Sequence, residues 1–149
     1  MRLVIQRVGS GKVNVDDRTV GKIEAGLMVL FGVGHGDTEK DAQALADKLS
    51  KLRIMSDKNG KMNLSVIDTK SSILVVSQFT LYADTQGGNR PSFINAGNPD
   101  KARVLYEYFI EKLKDKGIDV QSGSFGEYME IPLCLDGPVT IILNSEDIK

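Results

Sequence analysis

The stretch Ile73-Leu74-Val75-Val76-Ser77-Gln78-Phe79-Thr80-Leu81 is the most strand-like run in the chain. Its first four residues are aliphatic with no polar break, which is typical of a buried strand. The run then changes to Ser77, Gln78 and Thr80, whose neutral side chains donate and accept hydrogen bonds. Two interpretations are open at this point. The strand ends because it emerges into water, or it delivers these side chains and the neighbouring backbone N–H groups into a pocket.

Composition places the chain among ordinary globular proteins. Its 149 residues are 41% hydrophobic and 26% charged, which predicts one domain over residues 1–149 with a core that needs no covalent staple. The single cysteine, Cys134, can form no internal disulfide, so a reducing, cytoplasmic location is expected. No apolar run approaches the roughly 18 residues of a membrane span, so no membrane partner is expected. The net charge of −1 excludes nucleic-acid binding through bulk positive charge and leaves only a local patch for it.

Short apolar or alternating runs separated by turn residues predict many strands. Arg2 to Val8 and Lys12 to Asp16 lie on either side of Gly9-Ser10-Gly11, which predicts an amino-terminal hairpin. Further strands are predicted at residues 19–24, 27–33, 63–67, 73–81, 119–121, 128–135 and 139–143. Asp136-Gly137-Pro138 is expected to interrupt the last two.

Two longer segments have helical spacing. The first begins at Asp37 or Thr38, and the second begins at Asn98-Pro99-Asp100 and ends before Gly117. Between Tyr82 and Asn98 lies a glycine-rich segment whose length is uncommon unless it binds something or is disordered. The predicted fold class is α/β, with mixed, largely antiparallel, barrel-like sheets and two main helices in one compact domain.

Familiar catalytic groups are scarce in this sequence. Gly32 to Asp37 follows a buried strand as a dinucleotide-binding loop would, but Asp37 stands where that fingerprint needs glycine, so a simple turn is favoured. His35 is the only histidine, and Cys134 is expected to be a small core residue. Neither a metal nor another cofactor is expected, because one histidine and one cysteine make no ligand cluster.

The remaining chemical tools are backbone N–H groups, hydroxyls and amides. They can stabilise the oxyanion of an acyl transfer, best when the scissile bond is already labile, as in an activated ester. Gly137-Pro138 is the second unusual feature, because glycine admits close approach and proline lacks an N–H donor. A turn between two strands is its simpler local explanation.

Several motifs acquire meaning when they are taken together and in order. They are Met1 to Val8, the Gly34–Asp37 turn, Lys61-Met62-Asn63-Leu64-Ser65, Ser77 to Asp84, Arg90-Pro91-Ser92-Phe93 and Gly137-Pro138-Val139-Thr140. Through them the chain resembles the D-aminoacyl-tRNA deacylase (D-Tyr-tRNA deacylase) family over essentially its whole length. Ser-Gln-Phe-Thr alone is a weak signal, whereas this order of motifs at these separations is highly specific.

The resemblance implies a homodimer with active sites at the subunit interface. Its substrate is aminoacyl-tRNA, and the bond cleaved is the ester that joins a D-amino acid, or glycine, to the 3′-terminal adenosine. In that family Gly-Pro, here Gly137-Pro138, is a cis peptide that projects into the other subunit's pocket. There its carbonyls hold the substrate amino group, so that an L-side chain clashes with backbone.

The resemblance also implies roles for individual residues. The N–H of Phe79, with Gln78 beside it, polarises the ester carbonyl, and Ser77 belongs to the same motif. Thr80 is either the nucleophile or a support of the pocket, and we favour support because the sequence shows no base to activate it. The ribose 2′-hydroxyl is then the group that promotes attack by water. Arg7 helps to hold the Gly-Pro loop, while Phe125 stacks on the terminal adenine and Met129 lines the pocket.

One position departs from the family pattern. The family reads Asn-x-Gly-Pro-Val-Thr, and here Leu135 occupies the asparagine position, which removes side-chain hydrogen bonds that could brace the loop. A second hypothesis is a non-catalytic RNA-binding or editing-accessory module, against which the retained Ser77 to Thr80 motif argues. A third is a general small-ester hydrolase that does not require the tRNA adenosine.

Overall fold

The computed structural model describes residues 1–148. Its strands are β1 (Arg2–Val15), β2 (Arg18–Ile23), β3 (Gly26–Gly32), β4 (Met55–Ser56), β5 (Met62–Leu64), β6 (Ser72–Ser77), β7 (Val120–Ser122) and β8 (Leu133–Asn144). Its α-helices are α1 (Glu39–Lys51) and α2 (Pro99–Lys114), and two 3₁₀ turns cover Phe79–Tyr82 and Ser145–Asp147. No helix within residues 1–148 is long and apolar enough to cross a membrane.

The main sheet is mixed and nearly closed. Its strands run in the order β2-β1-β3-β6-β7, and β8 pairs with the other edge of β1. The pairs that β1 makes with β2, β3 and β8 are antiparallel, whereas β3–β6 and β6–β7 are parallel. The ends of the sheet meet because Gly21 of β2 lies against β7, where a Cβ would come within 2.5 Å of the Ser122 carbonyl oxygen. The predicted class, α/β with a largely antiparallel, barrel-like sheet and two main helices, is confirmed.

Both helices begin where the sequence predicts, because each has a side-chain cap. Thr38 precedes α1, and its N–H donates to the Asp41 carboxylate at 2.8 Å in a capping box. Asn98 precedes α2, and its side-chain oxygen accepts from the Asp100 N–H at 2.9 Å. The two helices pack against each other and cover one face of the sheet, where Phe109 and Leu113 join the main core.

The opposite face of the sheet encloses a second, smaller apolar cluster. Along β6, Ile73 and Val75 point to the helices, while Leu74 and Val76 point into this cluster with residues of β1, β2 and β3. The alternation follows from the two-residue period of a strand. All four side chains are buried, as the opening stretch predicts for a central strand.

Two sequence predictions about strand breaks were wrong. β1 runs unbroken through Gly9-Ser10-Gly11, because β8 pairs with Ser10 and Gly11 and keeps that segment extended. The hairpin turn lies later, at Asp16 and Asp17, which have φ of 47° and 63°. β8 likewise continues through Asp136-Gly137-Pro138 as a bulged strand, and it begins at Leu133 rather than at residue 128.

Candidate active site

The polar end of the opening stretch forms a tight turn at the carboxyl edge of the sheet. β6 ends at Ser77, Gln78 keeps the pairing through its N–H to the Phe31 carbonyl (2.8 Å), and Phe79 and Thr80 open a 3₁₀ turn. The first hydrogen bond of that turn runs from the Leu81 N–H to the Gln78 carbonyl at 3.3 Å. The N–H groups of Phe79 and Thr80 therefore precede the bonded part of the turn and lie at its open end.

The side chains of this turn are accessible and bonded to one another. Gln78 donates a short hydrogen bond from its amide nitrogen to the Thr80 hydroxyl oxygen. Phe79 and Thr80 are exposed, whereas Ser77 and Gln78 are half-buried. Within residues 1–148, Gln78 is the side-chain partner of the Thr80 hydroxyl, and an amide cannot remove a proton from it. The arrangement supplies polar donors and a hydroxyl, but no general base at that hydroxyl.

The 3₁₀ turn is anchored to the Gly34–Asp37 turn by Tyr82. Gly34 lies so close to this ring that a Cβ would come within 2.6 Å of Tyr82 Cε1. The Gly34 N–H in turn donates to the Asp37 carboxylate at 2.7 Å. Burial, with the nearby Asp37 charge, raises the pKa of Tyr82 to about 12, so the phenol stays protonated. Gly34 thus allows the turn to pack closely against Tyr82, which agrees with the interpretation of this run as a simple turn.

Gly137 and Pro138 lie in a bulge of β8. Gln6 pairs with Thr140 and Val8 pairs with Leu135, so residues 136–139 stand opposite a single residue of β1, Arg7. The Gly137-Pro138 peptide is cis, and both residues are exposed. Gly137 has φ +139°, and a Cβ there would lie 2.6 Å from the Val139 nitrogen, so only glycine fits this position.

Arg7 attaches this bulge to the rest of the domain. Its Nε donates to the Asp136 carbonyl at 3.2 Å and lies 3.2 Å from the Asp136 carboxylate. Its Nη1 donates to the Ile54 carbonyl (2.9 Å) and to the Ser56 hydroxyl (3.2 Å), at β4. Arg7 is only 8% exposed, so its charge is held by these partners rather than by water.

Sequence reasoning missed the acidic and β4 partners of Arg7. The contact with Asp136 could have been predicted, because a carboxylate directly before Gly137-Pro138 complements the arginine assigned to hold that loop. The contacts with Ile54 and Ser56 had no such signal in the sequence. Ile54 and Ser56 lie 47 and 49 residues from Arg7 in the sequence, and Ile54 contributes only its backbone carbonyl.

The two halves of the predicted site are far apart within one chain. Arg7, opposite the Gly-Pro bulge, pairs with Leu27 of β3, and Leu27 pairs with Ile73 of β6. Ser77 lies four residues beyond Ile73, which is roughly 13 Å along β6. Strand β6 is in turn three strand spacings, or roughly 14 Å, from β8. The bulge is therefore roughly 15–20 Å from the Ser77–Thr80 turn of the same chain.

Met129 and Phe125 lie on different sides of the sheet. Met129 joins the smaller cluster, and its sulfur would be 2.7 Å from a Cβ at Gly123, beside Val76 near the end of β6. Phe125 follows β7 and packs on α2, with its ring 5.7 Å from that of Tyr106 and with Arg103 4.9 Å above it. The structure thus brings Met129 to the strand that ends in Ser77, whereas Phe125 stands at the helix side of that edge.

Leu135 and Cys134 lie in the strand that leads into the bulge. Leu135 is 49% exposed, and it pairs with Val8 just before the first bulged residue. Cys134 is exposed rather than buried, so the expectation of a core cysteine was wrong. Its backbone pairs with Ser10, and its side chain belongs to neither apolar cluster. Within residues 1–148 no group of three His, Cys, Asp or Glu side chains could hold a metal ion.

Comparison with known proteins places this geometry in a family. Residues 4–144 match the model of the D-Tyr-tRNA(Tyr) deacylase family. D-aminoacyl-tRNA deacylases of Thermosipho melanesiensis and Thermotoga petrophila are 52% and 54% identical, and each alignment covers 99% of both chains.

Solved structures share the fold. One described as the c-Myc DNA unwinding element binding protein is 36% identical, with a TM-score of 0.90 over 97% of this chain and 98% of that one. A probable eukaryotic D-amino acid tRNA deacylase is 20% identical, with a TM-score of 0.82 over 96% of this chain and 98% of the other, a likeness of fold alone. The family match and the full-length relatives confirm the resemblance of the motifs: the chain belongs to the D-Tyr-tRNA(Tyr) deacylase family, a family of D-aminoacyl-tRNA deacylases.

Proposed function

We propose that this protein hydrolyses the ester between a D-amino acid and the 3′-terminal adenosine of tRNA, and that it acts in the cytoplasm. The observation that carries the proposal is the open end of the 3₁₀ turn, where the Phe79 N–H can donate to the ester carbonyl oxygen. Preorganised backbone N–H groups stabilise the negative charge that this oxygen gains as water attacks. Gln78 and Ser77 border the same position at the end of β6.

Thr80 supports the pocket rather than attacking the ester. Its hydroxyl accepts a hydrogen bond from Gln78, and an amide cannot activate it as a base would. The substrate's own ribose 2′-hydroxyl, next to the ester oxygen, promotes the attack of water. Met129 lines the adenosine pocket from the smaller apolar cluster, and Phe125 stacks on the base from the helix side of the same edge.

Gly137-Pro138 selects the chirality of the substrate. Its main-chain groups hold the substrate amino group, so an L-side chain would be directed into backbone and rejected by steric clash. A selector that acts through main-chain atoms requires a residue without a side chain. Gly137 meets this requirement, because a Cβ there would clash with Val139. Arg7, bonded to Asp136, holds this selector in place. Glycine carries no side chain to clash, so glycyl-tRNA is also hydrolysed.

The active site is completed by a second copy of the chain. The distance of roughly 15–20 Å between the Gly-Pro bulge and the Ser77–Thr80 turn is too great for both to contact one aminoacyl group in one chain. A partly exposed apolar row offers a place for the partner: Val4 pairs with Leu30 and Ile142, on the face away from the helices, and Ile142 is 62% exposed. Burial of such a row is the ordinary driving force of dimer formation.

The direct test compares D-Tyr-tRNA, L-Tyr-tRNA and glycyl-tRNA as substrates. Loss of the D-tyrosyl and glycyl esters beside an intact L-tyrosyl ester is expected. Equal rates for D- and L-Tyr-tRNA would contradict the selector, and tRNA binding without ester loss would favour a non-catalytic RNA-binding module. Rapid hydrolysis of a free D-tyrosine ethyl ester would favour a general esterase.

Subunit mixing tests the shared site. Gln78→Ala impairs the half of the site that binds the ester, and Gly137→Ala impairs the half that selects chirality. Dimers of the Gly137→Ala protein are therefore expected to hydrolyse L-Tyr-tRNA. When excess Gln78→Ala protein exchanges into them, each mixed dimer has one intact site, built from the wild-type halves of the two chains. Hydrolysis of L-Tyr-tRNA should then fall while that of D-Tyr-tRNA is kept. No change in L-Tyr-tRNA hydrolysis would show that each chain forms its own site.

A further inference from the structure

The Arg90-Pro91-Ser92-Phe93 motif has no part in the ester chemistry described above. The structure nevertheless fixes the base of its loop. Asp84 and Ser92 exchange two backbone hydrogen bonds of 2.8 Å, and the Gly97 N–H donates to the Val33 carbonyl at 2.8 Å. These bonds attach residues 92–97 beside the 3₁₀ turn Phe79–Tyr82 on one side and the end of β3 on the other. The motif therefore borders the site at which the ester is held.

Three large apolar side chains are exposed together at this border. The rings of Phe79 and Phe93 meet nearly at right angles, with centroids 5.0 Å apart. Phe79 is 56% exposed, Phe93 is 38% exposed, and the adjacent Ile94 is 72% exposed. We call Phe79, Phe93 and Ile94 the edge patch. Adjacent exposed aromatic rings of this kind are the usual platform on which bases of a single strand stack.

The charge around the edge patch suits a phosphodiester. Between Asp84 and Asp100 the chain has a single charged residue, Arg90, while its neighbours Gln86, Gly87, Gly88 and Asn89 are neutral. All of these residues are exposed. Asp84 and Asp100 bound this segment, so its positive charge is confined to the exposed loop between them, where Arg90 can meet an RNA phosphate.

We propose that the edge patch and Arg90 bind the nucleotide that precedes the terminal adenosine in the single-stranded 3′ end of tRNA. The inference rests on the proposed function, because Phe79 belongs both to the ester site and to the patch. If the ester carbonyl lies at the Phe79 N–H, the RNA strand leaves the site past an adjoining surface. The base of the preceding nucleotide stacks on Phe93 against Ile94, and Arg90 meets its phosphate.

A second copy of the chain is the competing occupant, and the geometry favours RNA. The apolar row of Val4, Leu30 and Ile142, where the partner is proposed to pack, lies on a face of the sheet. The edge patch lies instead at the carboxyl edge of β3 and β6, next to a polar glycine-containing loop. Continuity with the ester site and a lone positive charge point to the strand that carries the ester.

The test compares two substrates that differ only in the upstream RNA. One is D-Tyr-tRNA, and the other is 3′-O-D-tyrosyl adenosine, which has the ester and the terminal nucleoside but no preceding nucleotide. The measured quantity is the ratio of kcat/KM for the first substrate to kcat/KM for the second. Phe93→Ala should lower this ratio about five- to 150-fold, the fold-change that corresponds to loss of one base–aromatic stack.

Further variants make the readout specific. Ile94→Ala should lower the same ratio by a smaller factor, and Val104→Ala, an equally simple truncation of a 56% exposed side chain on α2, should leave the ratio unchanged. Arg90→Gln should flatten the dependence of log kcat/KM for D-Tyr-tRNA on log salt by about 0.7 to 1.

Each outcome decides the inference. A ratio near unity in the unaltered protein, or one that Phe93→Ala does not move, overturns it. Conversion of the Phe93→Ala or Ile94→Ala protein to monomers in sedimentation overturns it in favour of a subunit contact. If the unaltered protein hydrolyses neither substrate, the proposed function has failed. In that case the affinity for uncharged tRNA tests the edge patch. Weaker binding by Phe93→Ala than by the unaltered protein supports the edge patch, and equal binding overturns it.

Discussion

Replacement of Arg7 by methionine is the most informative single change, because this side chain joins three segments. Methionine keeps an unbranched apolar stem but removes every donor. The guanidinium bonds to Ile54, Ser56 and Asp136 are lost, and of these only the bond to the Ile54 carbonyl is fully buried. The exposed partners can turn to water, whereas the Ile54 carbonyl cannot.

The expected loss of stability follows from this difference between the buried and the exposed partners of Arg7. An unsatisfied buried carbonyl costs about 1–3 kcal/mol, and the partly exposed bonds together add about 1 kcal/mol. The Asp136 carboxylate is 59% exposed, so its ion pair adds little. We expect the free energy of unfolding to fall by about 2–4 kcal/mol. With a urea m-value of about 2 kcal/mol per M, the unfolding midpoint falls by about 1–2 M.

The functional consequence is a loss of chiral discrimination. With Asp136 released, the Gly-Pro bulge is held less rigidly, and the proposed steric clash with an L-side chain weakens. The ratio of L-Tyr-tRNA to D-Tyr-tRNA hydrolysis should therefore rise in Arg7→Met protein that is still folded at low temperature. Arg18→Met, at an exposed position of β2, is the matched control and should change neither quantity. A large loss of stability with an unchanged L-to-D ratio would refute the positioning role of Arg7.

Four further predictions concern single side chains. Thr80→Ala should retain D-Tyr-tRNA hydrolysis within about tenfold, whereas a loss on the order of 10⁴ in single-turnover assays would identify Thr80 as the nucleophile. Gly137→Ala should lower the unfolding free energy in urea by about 1–3 kcal/mol, because of its φ of +139° and the 2.6 Å approach to Val139; an unchanged midpoint would contradict this. Leu135→Asn should reduce residual L-Tyr-tRNA hydrolysis by restoring polar bracing to the loop, and an unchanged rate would show that Leu135 braces it equally well. Burial raises the pKa of Tyr106 to about 12, above the value near 10 of an unfolded tyrosine, so its contribution to stability is complete below pH 10 and is lost as pH rises from about 10 to 12. Urea unfolding at pH 8 and pH 11 should show a smaller fall for Tyr106→Phe than for the unaltered protein, and equal falls would contradict the assignment.

Local signals predicted the elements that depend on local physics. The caps at Thr38 and Asn98 marked both helices. The Thr38 N–H donates to the Asp41 side chain in a capping box, and the Asn98 side-chain oxygen accepts from N–H groups of the first turn. The run from Ile73 to Val76 is a central strand, as four consecutive apolar residues predict. The strand was predicted to continue to Leu81, but it ends at Ser77 and a 3₁₀ turn begins at Phe79, so the role of this polar end stays a prediction.

Errors occurred where a distant segment overrode a local preference. Gly9-Ser10-Gly11 has the composition of a turn, yet pairing with β8, more than 120 residues away, keeps it extended. Asp136-Gly137-Pro138 has the composition of a break, yet β1 holds it as a bulge within one strand. Cys134 was expected in the core, but its side chain points outward from the strand that leads into that bulge.

The sequence by itself determined the family, the class of fold and the chemical groups available, because these depend on residue identity and on order along the chain. The tertiary structure decided which of those groups meet. It joined Arg7 to Asp136 and to β4, exposed Phe79, Phe93 and Ile94 at one edge, and separated the Ser77–Thr80 turn from Gly137-Pro138 within the chain. The physical reason is that strand register and sheet closure are set by pairing and packing between remote segments, which no local window of residues contains.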